Sequence, residues 1–257
     1  MAKIKLPSPG ELGDRVRESE VWKSIFRPGS IFRKGYKDTS RDRALATMNN
    51  VLYHLHPTKV KRHGLKLTYT FCLGGISFFL FVLLTVTGIF LMFFYRPMAD
   101  VGGAQAFTDM QSIRTSVFFG DLIRNLHRWG AHLMVLSVTL HMGRVFYTGA
   151  YKPPREFNWV VGVILLFLTL GLSFTGYLLP WDQLAIWAVT VGTNLAAYSP
   201  FVAKQANFLL LGGAVVSPDT LLRWYVLHVL ALPFVLVLFL AVHFWRIRKD
   251  GGISGPL

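Results

Sequence analysis

Residues 127–141 read HRWGAHLMVLSVTLH, and residues 228–243 read HVLALPFVLVLFLAVH. Each stretch is almost entirely apolar and has a histidine at both ends. Polar side chains are costly inside a lipid bilayer and usually have a function there. The two stretches therefore raise the question of what four imidazoles would bind within a membrane.

Composition places the chain among membrane proteins. Of its 257 residues, 53% are hydrophobic and only 16% are charged, whereas soluble domains have about 25% charged residues. Four segments reach the length of about 20 residues that a membrane-spanning helix needs, namely 67–94, 118–147, 157–178 and 220–247. We predict an all-α fold, a membrane four-helix bundle over residues 67–257. Residues 1–66 are predicted to be a basic N-terminal extension and surface segment.

The net charge of +14 follows the positive-inside pattern. If the four spans alternate in direction, 21 of the 27 Lys and Arg residues lie on one side of the membrane, 15 of them within residues 1–66. We therefore expect both termini in the cytoplasm and the protein in a bacterial inner membrane. Contact with anionic lipid headgroups explains the basic segment, so no nucleic-acid partner is expected.

The histidine spacing predicts two separate sites. Fourteen residues of α-helix rise about 21 Å and return to within about 40° of the same face, so His127 and His141 share one stripe. His132 lies off that stripe. Since the second and fourth spans run in the same direction, His127 faces His228 at one depth and His141 faces His243 at the other.

Two imidazoles at each depth suit haem better than zinc. Structural zinc prefers four protein ligands, often with thiolates, whereas haem iron needs only axial ligands. Interhelical hydrogen bonds are the alternative role for such histidines. Glycine supports haem binding, because a macrocycle against a helix requires a residue without a side chain. Two glycine pairs on the first and third spans repeat the 14-residue period: Gly74 and Gly88, Gly162 and Gly176.

In these features the chain resembles cytochrome b6, the four-helix cytochrome b subunit of bc and b6f complexes. It also resembles the N-terminal half of cytochrome b. The likeness covers residues 67–257, and its motifs are FCLGGISFF, FFYRP, LHRWGAH, YKPPREFNWVVGV, TGYLLPWDQ and HFWRIRKDGGISGPL. The 15-residue spacing of His228 and His243 and the stop after ISGPL are typical of the b6 type. Residues 1–50 resemble nothing in that family.

The resemblance implies roles for individual residues. His127 and His228 would ligate the iron of one b-type haem, and His141 and His243 that of a second. Arg124, Arg128 and Arg144 lie within about one turn of these ligands, where guanidinium groups pair with propionates. Quinone-site residues would come mainly from the stretch that follows Gly176: Tyr177, Pro180, Trp181, Trp187 and Ala188, with Arg248.

Cys72 has two interpretations. A lone cysteine at the start of a membrane helix is usually a small buried hydrophobe. In b6-type proteins, however, the cysteine of the matching stretch holds a c-type haem through a single thioether, and this is the interpretation we favour for FCLGG.

One stretch departs from the family pattern. The N-terminal surface segment of the family contains an acidic residue, whereas NVLYHLHPTKVKRHG contains none. His54, His56 and His63 are either interfacial surface residues or a replacement proton relay, which the near-neutral pKa of histidine permits.

The resemblance implies quinol oxidation coupled to proton translocation. The chain would be the dihaem subunit of a quinol:cytochrome c (or plastocyanin-type acceptor) oxidoreductase that carries electrons across the membrane to a quinone-reduction site in a Q cycle. Its partners would be a subunit IV-like second half of cytochrome b, a Rieske iron–sulfur protein and a c-type cytochrome, within a dimeric complex. The alternatives are a dihaem membrane anchor of a soluble dehydrogenase or hydrogenase and a non-redox membrane scaffold.

Overall fold

The computed structural model describes residues 8–19, 22–23, 26, 39–40, 42–44, 62–99, 105–198, 203–213 and 215–250. Within these residues every regular element is helical, which confirms the predicted all-α fold. The chain divides into two compact units, Met1–Val60 and Lys61–Leu257. In the first unit, helix α1 spans Pro9–Glu18 and begins at a capping box formed by Ser8 and Glu11.

The second unit contains the long helices. Among its described residues, the first element is a 3₁₀ turn at Arg62–Leu65, and the last two are a π-helical turn and the helix that follows it. The helices are α2 (Leu67–Thr70), α3 (Leu73–Met92), α4 (Gln105–Thr115), α5 (Gly120–Tyr147), α6 (Glu156–Leu178), α7 (Gln183–Ala197), α8 (Ala203–Leu211), α9 (Pro218–Val226) and α10 (Leu232–Lys249). The π-helical turn, Leu227–Ala231, joins α9 to α10.

Three of these helical stretches are long and apolar enough to cross a membrane: Leu73–Met92, Glu156–Leu178 and Pro218–Lys249. Helix α5 is 28 residues long but contains histidines and charged residues. Large apolar side chains such as Phe79 and Phe167 are about two-thirds exposed on the outside of the helices. Exposure of large apolar residues on this scale is typical of a surface that contacts lipid or other subunits.

The long helices pack in sequence. Helix α3 packs against α5, α5 against α6, and α6 against α9, the π-helical turn and α10. Buried Ser77 and Ser137 join α3 to α5 through a hydrogen bond of 3.0 Å between their hydroxyls. Helix α5, which contains His127 and His141, therefore packs against the glycine-bearing helix α3. The π-helical turn and α10, which contain His228 and His243, pack against the glycine-bearing helix α6.

Three local features differ from the expectation. The first predicted span is interrupted, because Phe71 and Cys72 both adopt left-handed backbone (φ 50°) between α2 and α3. The interval 179–219 between the third and fourth predicted spans contains helices α7 and α8. The fourth span is not a continuous α-helix, since its π-helical turn includes His228.

Candidate functional site

The first histidine pair, His127 and His228, faces across the bundle as predicted. His127 lies on α5 and His228 in the π-helical turn, and their ring centroids are 6.3 Å apart with an interplanar angle of 73°. A metal–imidazole bond is about 2 Å long. Two such bonds, together with the distance from each nitrogen to its ring centre, nearly fill the gap between the rings.

Threonine hydroxyls orient both rings of the first pair. Thr87 Oγ1 lies 2.9 Å from His127 Nδ1, and Thr175 Oγ1 lies 3.0 Å from His228 Nδ1. The Thr87 hydroxyl donates to the backbone carbonyl of Leu83, so its oxygen accepts from the imidazole N–H. With Nδ1 held in this way, Nε2 is the nitrogen left to bind a metal.

Each of the four predicted glycines faces a histidine ring on the neighbouring helix. A Cβ atom at Gly88 would lie 3.2 Å from His127 Cε1, and one at Gly176 would lie 2.6 Å from His228 Cε1. The corresponding distances are 3.2 Å from Gly74 to His141 and 3.9 Å from Gly162 to His243. Each predicted glycine therefore lies at the level of one histidine. The glycine faces the imidazole ring, whereas the sequence argument placed a macrocycle against it.

The second histidine pair, His141 and His243, has fewer polar contacts. Each of its rings lies against a glycine of the neighbouring helix, His141 against Gly74 and His243 against Gly162. His243 Nδ1 is buried without a hydrogen-bond partner among the described residues. Buried polar atoms in native proteins are nearly always paired, so this nitrogen points to a group that is bound in the functional protein.

The donor set fits a haem. Among the described residues there is no cluster of three or more His, Cys, Asp or Glu side chains that would hold a metal ion by itself. The facing imidazoles of the first pair, the apolar helix surfaces and the glycine against each of the four histidine rings are what an iron porphyrin requires, since the porphyrin supplies the other four ligands.

The predicted arginines lie beside the pairs. Arg124 is half-buried, and its Nε has no partner among the described residues. Arg128 is exposed. Arg144 Nε donates to the carbonyl of Tyr69 at 3.0 Å, and its Nη2 is buried and unpaired within the part of the chain that the structure describes. Arg124 therefore has an unused donor beside the first histidine pair, and Arg144 has one beside the second.

The predicted quinone-site residues separate into two groups. Tyr177, Trp181 and Trp187 lie with Pro180 and Ala188 on the segment that runs from the end of α6 into α7. Trp181 is buried and has a left-handed backbone (φ 50°), whereas Tyr177 and Trp187 are more than half exposed. Arg248 lies in the last turn of α10, at the end that holds the second histidine pair.

Cys72 is a free, exposed cysteine immediately before α3. Gly74, two residues later, contacts the ring of His141. The thiol is therefore at the end of the bundle that holds the second pair. His54 and His56 lie outside the described residues, and His63 belongs to the 3₁₀ turn.

Comparison with known proteins agrees with this geometry. Residues 59–251 match the sequence model of the family described as Cytochrome b/b6/petB. The cytochrome b6 of Heliobacterium modesticaldum is 46% identical over 202 residues, covering 79% of this chain and 91% of that protein. That of Heliomicrobium gestii is 48% identical over 187 residues, covering 73% of this chain and 85% of that protein.

A solved structure described as "Hyperthermophilic respiratory Complex III" matches with a TM-score of 0.66 and 30% identity. It covers 85% of this chain, which in turn spans 55% of the solved chain. These matches confirm the resemblance inferred from the motifs. The chain belongs to the cytochrome b/b6 family, whose members are integral membrane proteins that hold b-type haems.

Proposed function

We propose that the chain is the dihaem cytochrome b subunit of a quinol:cytochrome c (or plastocyanin-type acceptor) oxidoreductase. The observation that carries the proposal is the matched pairing of four histidines at two levels, each with its own glycine. The first pair supports it most directly, with ring centroids 6.3 Å apart. His127 and His228 do hydrogen-bond to neighbouring helices through Thr87 and Thr175, but a histidine used only for helix packing would not need a facing imidazole.

His127 and His228 would hold the iron of one haem, and His141 and His243 would hold that of the other. When bound, the two b-type haems would supply one-electron transfer between the two surfaces of the membrane. Thr87 and Thr175 fix the ring orientation of the first pair and direct Nε2 toward the space between the helices. Arg124 and Arg144 have free donors for carboxylates at the first and second levels respectively.

Quinol oxidation is assigned to the surface nearest the first pair. Thr175 and Gly176, which contact His228, lead directly into Tyr177, Pro180 and Trp181. A pocket bordered by this segment would lie beside the first haem. Quinone reduction is assigned to the opposite surface, near the second pair, where Arg248 lies.

A third haem is proposed on Cys72. The thiol is exposed at the end of α3 that contacts His141 through Gly74. A single thioether at this position would hold a c-type haem next to the second level. The exposure of Cys72 supports attachment, because a buried thiol would not reach a macrocycle outside the bundle.

The proposed partners follow from the family. They are a subunit IV-like second half of cytochrome b, a Rieske iron–sulfur protein and a c-type cytochrome, in a complex that dimerises. The solved chain of the respiratory Complex III is longer than this one, which spans 55% of it.

The proposed orientation has four spans, with α5 as the second, and both termini in the cytoplasm. It rests on the positive-inside distribution of 21 of 27 basic residues. In a Cys72→Ala background, a cysteine introduced at Lys34 should be labelled only from the cytoplasmic side, and one at Tyr198 only from the outside. The reverse pattern would exchange the two surfaces and the assignments of the two quinone sites.

The test of function uses the intact complex purified from its native membrane. Mass spectrometry should identify a Rieske protein and a c-type cytochrome, and quinol should reduce both b-type haems and the c-type acceptor. A complex that contains a dehydrogenase or hydrogenase in place of the Rieske protein would identify the chain as a membrane anchor instead. Failure of quinol to reduce any haem would refute the proposed function.

A further inference from the structure

The stretch FFYRP, residues 93–97, lies just after α3 and makes a long-range hydrogen bond. The Tyr95 hydroxyl donates to the backbone carbonyl of Leu179 at 2.6 Å, across 84 positions of sequence. The Tyr95 side chain is buried, and its ring lies 5.6 Å from that of Tyr225. Burial raises the pKa of Tyr95 far above its usual range, so the phenol keeps the proton that it donates.

The residue next to Tyr95 is fixed independently. The guanidinium of Arg96 donates to both carboxylate oxygens of Asp109 on α4, at 3.0 and 2.7 Å, and the Arg96 backbone N–H donates to one of them at 2.9 Å. Gln105 donates to the same carboxylate at 2.8 Å. The carboxylate of Asp109 is buried, with only 4% of the residue exposed, whereas the Arg96 side chain is largely exposed. The bidentate contact and the bond to the Arg96 backbone N–H together hold the backbone of FFYRP in place.

The acceptor lies in a constrained turn between α6 and α7. The Trp181 N–H donates to the carbonyl of Leu178 at 3.1 Å, and Asp182 caps α7 by accepting from the Ala185 N–H at 2.8 Å. Between these contacts Trp181 adopts a left-handed backbone with φ 50°. A bulky residue remains in that region only when its surroundings enforce it.

We propose that Tyr95 is a positioning residue for the quinol-oxidation pocket, which holds the Leu179–Asp182 turn in its quinol-binding conformation through the Leu179 carbonyl. The inference rests on the proposed function, in which this turn borders the pocket. Tyr95 acts through the turn and does not contact quinol. Without the phenol hydroxyl, the turn loses the side-chain hydrogen bond that joins it to the residues after α3. The strained backbone conformation of Trp181 is then less populated.

A lower population of the binding conformation weakens apparent affinity in proportion. Loss of one neutral hydrogen bond of typical net strength corresponds to about a fivefold change in the equilibrium between the two conformations. We therefore expect Tyr95→Phe, in the intact complex, to raise the KM for a short-tailed quinol analogue by up to about fivefold. The kcat should change less, because the histidine pairs and their threonines are untouched.

The matched control is Tyr225→Phe, which removes a hydroxyl from the adjacent ring and leaves the Tyr95–Leu179 bond in place. The control should keep the wild-type KM. Both variants should retain wild-type haem content and wild-type midpoint potentials, which separates a pocket effect from a folding effect.

Three outcomes contradict the inference: an unchanged KM in Tyr95→Phe, an equal rise in Tyr225→Phe, or loss of haem from Tyr95→Phe. The last would assign the hydroxyl to folding. If quinol does not reduce the wild-type complex, the proposed function fails. If quinol reduces the wild-type complex and Tyr95→Phe has the same KM, only the inference about Tyr95 fails.

Discussion

The two histidine pairs differ in how far the protein alone prepares them. At the first pair, Thr87 and Thr175 hydrogen-bond both rings, and a Cβ at Gly176 would lie only 2.6 Å from His228. At the second, His243 Nδ1 is unpaired among the described residues, and Gly162 leaves an ordinary van der Waals distance of 3.9 Å. Preorganised ligands lose less conformational freedom on binding. The first site is therefore largely built by this chain, whereas the second depends more on what binds there.

The largest expected effect is loss of a haem. His127→Leu removes one ligand of the first pair, so we expect one of the two non-covalent haems to be lost and the other largely retained. Pyridine haemochrome quantitation with low-temperature spectra measures both. The exposed His132, which lies off the ligand stripe, provides the control, and His132→Leu should keep both haems. Unchanged haem content in His127→Leu would refute the assignment of the pair.

Cys72→Ser should remove the covalent haem at the second level. A thioether survives denaturation that releases histidine-ligated haem, so the wild-type subunit should show a mass increment of one haem under denaturing mass spectrometry. The variant should have the bare polypeptide mass and keep its two b-type haems. A bare mass for the wild-type chain, from a preparation whose c-type partner does contain haem, would make Cys72 an ordinary cysteine.

Alanine at the two glycines of α6 compares the levels directly. Gly176→Ala overlaps the His228 ring and should cost about 1–3 kcal/mol, the usual range for overpacking. Gly162→Ala meets no close atom and should lie within about 1 kcal/mol of wild type, since alanine also favours helix. Thermal unfolding followed by haem absorbance measures both. Equal destabilisation would contradict the difference in tightness between the two sites.

A smaller effect is expected on redox potential. Thr87 accepts a hydrogen bond from His127 Nδ1, which makes the imidazole a stronger donor and favours ferric iron. Thr87→Val should therefore raise the midpoint potential of one haem by about 40 mV, the one-electron equivalent of about 1 kcal/mol. Redox titration should show the second haem unchanged. Ser137→Ala, which removes a buried hydroxyl of α5 bonded to Ser77, is the control and should shift neither potential.

The smallest expected effect is on stability at low pH. The hydrogen bond from Arg96 holds the pKa of Asp109 below its usual value, and the nearby Gln105 adds to this shift. Because the folded pKa is depressed, the pair stabilises the protein fully above about pH 4, the unfolded value, and the contribution is lost as pH falls through the folded pKa. The Tm difference between wild type and Asp109→Asn should therefore shrink between pH 5 and pH 3. A pH-independent difference would exclude the ion pair as its source.

The stripe of His127 and His141 and the 14-residue glycine periods followed from helix geometry, so the pairing of elements and the levels were predictable from the sequence. Thr87 and Thr175 were not predicted, although each immediately precedes a glycine of the first level in a Thr-Gly dipeptide. Threonine is common in membrane helices, where its hydroxyl usually bonds its own backbone. Only the position of the neighbouring helix shows which threonine hydroxyls also bond a histidine and which bond their own backbone alone.

The break at Phe71–Cys72 and the helices within 179–219 were missed for a different reason. Apolar composition predicts length but does not locate a left-handed residue, because neither Phe nor Cys favours that conformation. Within 183–197 the apolar residues form a helix too short to span the membrane. Tertiary contacts therefore decide both features.

The π-helical turn at Leu227–Ala231 changes the angle around the helix axis between His228 and His243. On an ideal α-helix, 15 residues would place His243 about 60° past the face of His228, whereas 14 residues fall about 40° short of it. A π turn accommodates one extra residue. Here the Leu232 N–H donates to the carbonyl of Leu227, five residues earlier. The next residue, Pro233, has no N–H to donate. The 15-residue interval therefore behaves as 14, in phase with His127–His141 and with both glycine pairs. Deletion of one residue from this turn, after His228, would therefore restore a regular α-helix and leave both imidazoles in register.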